Sequence, residues 1–593
     1  MLRRFAQFAR PYAPAYAGGF LLLLVTNGLG LWIPWLLRDA VGSLERHEGL
    51  SVITKLALMM IVVALGQAVV RTFSRRLILG ASRRIVYDVR DRFFERLQTL
   101  GPSFYDTQRT GDIMSRGVND TRLIQGFFGP GAMNLLNTSV VYVAVLILLL
   151  RIDVRLTLIS VALYPILFFG VNRLSRKVYT RSRAVQEHLA TISNRAQENI
   201  SGIQQVKIYA QEQREIEAFR DLCAEYRSRN LSMAVVRGGM VALIGVVAGL
   251  GALIVLYVGG RFVIEGRISL GDFVAFNAYL AMLVWPTIAL GWIVNTIQRG
   301  LGAMERIAEV LDHEADVADA PADGAGDEDE IDHAPLRGDV EIRGLTFAYD
   351  SQDGGPDSEA PPRTVLKDVN LSIPHGSRVA LVGPVGSGKS TLAGLLARLY
   401  AVPPGQIFVD GEEINSIPLA RLRRSIGFVP QEAFLFSRSL RENIAFGSSE
   451  ASAGEIADAV QTAHLAGDLE SFPEGLDTLV GERGFTLSGG QRQRVTLARA
   501  LLGGRSILVL DDSLSSVDAD TEQAILSALQ GGGRDRTIIL ITHRLSTLAG
   551  MDRIVVLDEG SIAEQGTHEE LMQLDQVYAG LFTKYLLEQR LNG

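Results

Sequence analysis

Apolar positions fall into two regimes along this chain. In the first three hundred residues they form long runs, and beyond residue 338 they form short runs that alternate with helical patterns. A membrane-crossing helix needs about 20 mainly apolar residues. Six runs meet that requirement, centred on Leu23, Val62, Val141, Leu163, Val247 and Met282. The links between the first and second, third and fourth, and fifth and sixth runs are short. The other two links are each roughly fifty residues and carry apolar residues at helical spacing, so they read as polar helices prolonging the spans. The first of these long links holds Arg75, Arg76, Arg83, Arg84, Arg90, Arg92, Arg96 and Arg109. Basic segments collect at the cytoplasmic face, which puts both chain ends inside. Arg151 and Arg155, beside the outer turn between the third and fourth spans, run against that rule.

The long links, 86–120 and 183–219, read either as solvated stalks or as levers. The Gly-Pro pair at 101–102 breaks the first and predicts a small helix able to touch another domain. Arg3, Arg4 and Arg10 precede the first apolar run, as in a secretory signal, but residues 17–37 exceed a signal's apolar core and no cleavage site follows. A retained first span is expected, led by a short interfacial helix with Leu2, Phe5 and Phe8. Asn27, Gln67, Asn137 and Asn277 lie inside spans and read as interhelical hydrogen-bonding groups or cavity lining.

Residues 312–337 are acidic, rich in Ala, Gly and Pro, and poor in large apolar side chains, the composition of a flexible linker. Residues 350–362 read as a loop between two early strands. The expected fold is therefore multi-domain: an all-α transmembrane domain of six spans with long cytoplasmic extensions at 1–311, the linker at 312–337, and an α/β domain with a helical subdomain at 338–593. A length of 593 residues agrees with two or more domains. The mild net charge of −7 gives no reason to expect a nucleic-acid partner. The single cysteine, Cys223, excludes an intrachain disulfide framework and a cysteine-based metal cluster.

The soluble half carries the chemistry. A buried strand, "RVALVG", runs into "GPVGSGKST" (383–391) and then an apolar helix. This is the P-loop pattern, with Gly383, Gly386, Gly388, Lys389, Ser390 and Thr391. Glycines let backbone N–H groups wrap phosphates, the helix N-terminus adds its dipole, Lys389 reaches the β- and γ-phosphates and Ser390 ligates Mg²⁺. A second apolar strand, "SILVLD", ends in Asp511, placed to hold Mg²⁺, and Asp512 follows where a base for water attack is expected. Between the two strands, "LSGGQRQR" (487–494) places Ser488, Gly489, Gly490 and Gln491 at the start of a helix, a second anion site.

In these motifs and their order the chain resembles the ATP-binding cassette exporters, in the half-transporter form with six spans ahead of one nucleotide-binding domain. The resemblance covers essentially the whole chain. It implies ATP and Mg²⁺ as cofactors and a cytoplasmic-membrane location with the nucleotide-binding domain in the cytoplasm. It also implies a dimer in which each nucleotide lies between one chain's P-loop and the other chain's LSGGQ. Carried over residue by residue, Tyr349 matches the aromatic that stacks on adenine, Gln431 the glutamine at Mg²⁺ and the attacking water, and Asp518 the acidic residue of the D-loop. His543 matches the switch histidine at the γ-phosphate. Residues 478–484 match the segment that meets the coupling helices, and 104–116 the first coupling helix and its sequel.

One position departs. The family usually has Glu after the Mg²⁺-holding Asp, and this chain has Asp512. One methylene fewer withdraws the carboxylate by about 1.5 Å, and misplacements of about 1 Å cost on the order of 10²-fold in rate. Members with such a replacement commonly pair with a different half-transporter that keeps Glu, so a heterodimer with one degenerate site is expected. Against this, His543 and Gln431 are intact, which leaves open a homodimeric exporter or lipid flippase with two slow, equivalent sites. A non-transporting ATP-gated regulator and an importer are further alternatives on the same scaffold. The cargo is expected to be a small amphipathic or hydrophobic molecule, with drugs, lipids and peptides all open. Phe276, Tyr279 and Trp285 in the sixth span suit such a cargo, and no segment that reads as a peptidase precedes the first span.

Overall fold

The computed structural model describes residues 2–319, 334–349, 363–448, 450–481, 484, 487–531 and 535–592. The loop expected at 350–362, most of the linker and residues 482 and 483 of the 478–484 segment lie outside the described residues. Contacts divide the chain into two units. One comprises Met1–Gln98 and Gly111–His313, the other Thr99–Thr110 and Glu314–Gly593.

The first unit is helical: α1 Ala13–Glu45, α2 Leu50–Thr99, α3 Thr110–Ile152, α4 Val154–Val161, α5 Leu163–Ser201, α6 Glu212–Ile264 and α7 Leu270–Asp312. Five described helices are long and apolar enough to cross a membrane, namely α2, α3, α6, α7 and the run Phe5–Glu45 that contains α1. In the fourth expected span the helical hydrogen-bond ladder is interrupted at the single residue Ala162, between α4 and α5, while the backbone there stays helical (φ −57°, ψ −19°). Pro165 supplies the reason: it has no N–H for the carbonyl of Val161 and its ring crowds that carbonyl.

Among the polar span residues, Gln67 bonds a neighbouring helix and Asn277 its own, while buried Asn27 Nδ2 has no hydrogen-bond partner among the described residues. Gln67 Nε2 donates to Thr26 O at 3.2 Å, and Asn277 Nδ2 donates to Phe273 O at 3.3 Å. Buried Asp120 accepts from Arg306 Nε and Nη2 at 2.8 and 2.6 Å, joining α3 to α7. Two expectations change. Phe5 and Phe8, read as interfacial, are buried, with the Arg92 guanidinium 4.9 Å from the Phe8 ring. Of the three aromatics read as cargo-facing, Phe276 and Tyr279 are 0 and 2 % exposed, and the Tyr279 hydroxyl donates to Leu31 O at 2.8 Å. They are core, and only Trp285, 70 % exposed, is open.

The second unit holds two sheets. An antiparallel sheet has the order β2-β1-β4-β5, from β1 Val340–Tyr349, β2 Arg363–Ile373, β4 Ile407–Val409 and β5 Glu412–Glu413. A six-stranded sheet has the order β10-β9-β3-β8-β7-β6. Its strands are β3 Arg378–Val382, β6 Ile426–Val429, β7 Ile507–Asp511, β8 Thr537–Ile541, β9 Arg553–Asp558 and β10 Ser561–Gly566. All its pairings are parallel except β9 with β10.

Its strands are apolar on both faces because both are covered. Successive side chains take opposite sides: Leu508, Leu510, Ile538 and Leu540 enter one core, and Ile507, Val509, Ile539 and Ile541 the other. The second core also takes the antiparallel sheet and helix α8 Lys389–Leu396. The first takes α9 Gly489–Leu501 and, through buried Ile525, α10 Ala519–Gly531. The Gly-Pro break forms the expected small helix, Pro102–Thr107, with Gly101 as its N-cap. That helix belongs to the second unit, where Tyr400 Oη donates to Asp106 Oδ2 at 3.1 Å.

Candidate nucleotide site

Strand order assembles the site. In parallel α/β sheets ligands bind beyond the carboxyl ends of the strands. Here β3, β8, β7 and β6 are neighbours, and Leu381 pairs with Ile541, Ile541 with Asp511, and Leu510 with Val429. Those strands end in the P-loop, in His543, in Asp511 with Asp512, and in Gln431. Four segments scattered in sequence thus reach one edge of the sheet.

The P-loop needs its glycines. Gly383 has φ +145°, and a Cβ there would lie 2.0 Å from Leu557 O. Gly388 has φ +101°, and its Cβ would meet Leu366 Cδ2 at 2.6 Å. Gly386 has φ +85°, again in the left-handed region. Lys389 opens α8, and its ammonium donates to Gly383 O at 2.9 Å and Pro384 O at 2.8 Å. Burial pushes its pKa down, opposed by the charges of Asp511 and Asp512. Ser390 Oγ donates to Asp511 Oδ1 at 3.0 Å. Burial raises the Asp511 pKa; the Ser390 hydrogen bond lowers it, the Asp512 charge raises it, and Lys389 and His543 lower it. Both carboxylates, the lysine and the histidine therefore share one field.

Asp512 sits in the left-handed region at φ +44°, and its N–H donates to Ile541 O at 2.9 Å. Asp is among the few non-glycine residues that tolerate this conformation. His543 and Gln431 are exposed. The Tyr349 hydroxyl is 3.0 Å from Thr391 Oγ1, and its ring stands edge-on to Tyr400 at 5.2 Å and to Phe347 at 5.1 Å. The expected adenine platform is thereby tied to the last residue of the P-loop motif.

The LSGGQ turn is built as a helix cap. Ser488 Oγ accepts from Gln491 N at 3.2 Å, and Gln491 Oε1 accepts from Ser488 N at 2.9 Å. Gln491 Nε2 donates to Asp468 Oδ1 at 3.0 Å, so both ends of this amide, expected at nucleotide, have protein partners, one in the turn and one in the helix Ala466–Leu469. Gly489 and Gly490 lie against Ser516, with a Cβ on Gly490 only 2.9 Å from Ser516 O. Among the described residues no hydrogen bond joins residues 488–491 to 383–391. Asp518, also expected at nucleotide, caps α10: its Oδ1 accepts from Thr521 N at 2.9 Å, which lowers its pKa.

Three contributors escaped the motif reading. Tyr400 carries Tyr349; Gln493 and Arg544 both bind residues 515–517. The signal was adjacency alone, since Gln493 falls inside "LSGGQRQR" and Arg544 directly follows His543.

Family models match both halves. The ABC transporter transmembrane region matches residues 15–287, and the ABC transporter model matches 366–515. The chain is 32% identical over 579 residues to the probable multidrug resistance ABC transporter ATP-binding/permease protein YheI of Bacillus subtilis, covering 96% of this chain and 95% of that protein. It belongs to the ABC transporter family. The transporter is also 32% identical over 575 residues to the ATP-dependent lipid A-core flippase of Syntrophus aciditrophicus, covering 96% of this chain and 92% of the flippase. Its fold matches a bacterial Atm1-family ABC exporter solved with ATP bound, with a TM-score of 0.77 at 28% identity, over 96% of this chain and 99% of that one. This ABC transporter is thus an exporter-type membrane protein that binds ATP, couples its hydrolysis to transport and keeps its nucleotide-binding domain in the cytoplasm. ABC exporters work as dimers, and this chain supplies one membrane half and one nucleotide-binding domain.

Proposed function

We propose that this chain is one half of a heterodimeric exporter of small amphipathic or hydrophobic molecules, with its own P-loop site as the degenerate one. The observation that carries the reading is Asp512, a shortened carboxylate on a left-handed backbone beside Asp511. The partner would be a second half-transporter with Glu at the equivalent position. This chain would complete the partner's competent site through Ser488, Gly489 and Gly490. Multidrug and lipid roles named for the relatives support the cargo class.

Within the site, Lys389 and the backbone of residues 383–391 bind the phosphates, and Tyr349 takes the adenine. Ser390 and Asp511 fit Mg²⁺: their oxygens lie together at 3.0 Å, and Mg²⁺ typically takes few protein oxygens beside phosphate oxygens and waters. When bound, Mg²⁺ neutralises charge on the phosphates. On this reading Gln431 meets the attacking water and His543 the γ-phosphate, both being exposed at the sheet edge that carries Asp512.

A homodimer with two slow sites is favoured by one observation, the retention of His543 and Gln431 at the same sheet edge as Asp512. Affinity capture of the tagged chain from its own membranes separates the readings. Recovery with a distinct half-transporter that carries Glu after its Mg²⁺-holding Asp is expected. Recovery of this chain alone, active as an ATPase, would overturn the heterodimer.

A further inference from the structure

Arg544 follows His543 in the segment after β8, and its guanidinium reaches the loop that follows Asp512. Nη1 donates to Val517 O at 2.6 Å and to Glu522 Oε2 at 2.6 Å, and Nη2 donates to Ser515 O at 2.7 Å. Glu522, on the first turn of α10, is 2 % exposed. A guanidinium is suited to such a grip because it is planar, permanently charged and carries five donors.

The same loop is also held by α9. Buried Gln493 on α9 accepts Ser516 N on Oε1 at 2.9 Å and donates through Nε2 to Ser515 Oγ at 3.1 Å. Ser515 Oγ in turn donates to Asp512 O at 2.9 Å. Gly489 and Gly490 rest on Ser516. Residues 515–517 therefore support two functional features at once: the carboxylate loop of this chain's own site and the LSGGQ turn offered to the opposite site.

We infer that Arg544 is a positioning residue that clamps residues 515–517 as the shared support of Asp512 and the signature glycines, and that turnover requires this clamp whichever of the two sites is competent. The inference rests on the sandwich-dimer reading above. It differs from a role for the Arg544–Glu522 pair in stability, because the two carbonyl contacts, and not charge neutralisation, are held to matter.

The test uses the full transporter reconstituted in lipid, with ATPase kinetics, ATP binding and thermal unfolding measured together. Arg544→Ala alone leaves a buried carboxylate unpaired and risks a folding defect. The decisive variant is therefore Arg544→Ala with Glu522→Gln, which removes both charges. It is expected to fold and to bind ATP, with KM for ATP within about threefold and kcat lowered about 100-fold, the scale of a misplaced catalytic group. Glu522→Gln alone keeps Arg544 on both carbonyls and is expected to hold kcat within about fivefold. Restoration of wild-type kcat in the double variant would reduce Arg544 to a counter-ion for Glu522 and overturn the inference. Lys389→Ala is the control for the site itself: if it leaves ATP binding intact the nucleotide-site reading fails, whereas normal turnover without Arg544 removes only the clamp.

Discussion

Ser390 Oγ and Asp511 Oδ1 are 3.0 Å apart although 121 residues separate them in the chain. The sheet makes this possible: the strand leading to Ser390 and the strand ending in Asp511 flank β8, and all three end at the same edge. A hydroxyl and a buried carboxylate meeting there form the oxygen pair that a phosphate-bound Mg²⁺ would use. Ser390→Ala should therefore weaken ATP binding more in the presence of Mg²⁺ than in its absence. Titration with a fluorescent ATP analogue, with Mg²⁺ and with EDTA, should show the Mg²⁺-dependent gain reduced about tenfold, the effect of one lost contact to a charged group.

Lys389→Ala removes the charge-assisted contact to the phosphates proposed for this ammonium. Such contacts are worth roughly 1.5–3 kcal/mol, so ATP affinity at this chain's P-loop should fall about 10- to 100-fold. Photolabelling with an azido-ATP, followed by separation of the two halves, reads the site on this chain alone. Unchanged labelling of Lys389→Ala would contradict the placement of the P-loop.

Tyr349, the residue proposed to stack on adenine, has its hydroxyl 3.0 Å from Thr391 Oγ1. Base–aromatic stacking contributes about 1–3 kcal/mol, so Tyr349→Ala should weaken ATP binding by about 5- to 150-fold. Tyr349→Phe, which keeps the ring, should retain most affinity. Equal losses in the two variants would assign the effect to the Thr391 contact instead.

Ser488→Arg puts a long side chain at the N-cap of α9, the turn proposed to complete the opposite nucleotide site. It also ends the mutual cap with Gln491. Total ATPase of the assembled transporter should fall by at least about tenfold while ATP binding at Lys389 persists, the pattern of a group that acts at the other site. Full activity would mean that the sandwich is assigned to the wrong halves.

The sequence was most legible where chemistry requires fixed spacing. Gly383, Gly388, Lys389 and Ser390 had to fall within one short loop, and the apolar run before Asp511 had to be a buried strand. It was least legible where a side chain has two possible uses. Gln491 and Asp518 match family positions, yet the structure engages both in helix caps that any Ser-x-x-Gln or Asp-x-x-Thr turn could form. Phe276 and Tyr279 carried no mark to separate a core face from a cavity face, because in a membrane helix both are apolar. Pro165 was visible in the fourth apolar run, but run length alone could not show that the hydrogen-bond ladder would be interrupted at Ala162. Arg544 belongs to no spacing rule at all: its three acceptors lie 22 to 29 residues earlier, and only the adjacency of β7 and β8 brings them within reach.

The central claim is that Asp512 makes this chain's site one that binds nucleotide and rarely turns it over. Asp512→Asn tests it with the least disturbance, since Asn also tolerates φ +44° and keeps the backbone bond to Ile541. Steady-state ATPase of the reconstituted pair should change less than about twofold, whereas a working catalytic base contributes about 10²–10⁴-fold. Replacing the partner's Glu by Gln in parallel should abolish most turnover. A loss of about 100-fold or more from Asp512→Asn would contradict the account, and two equivalent sites that use Asp512 itself would take its place.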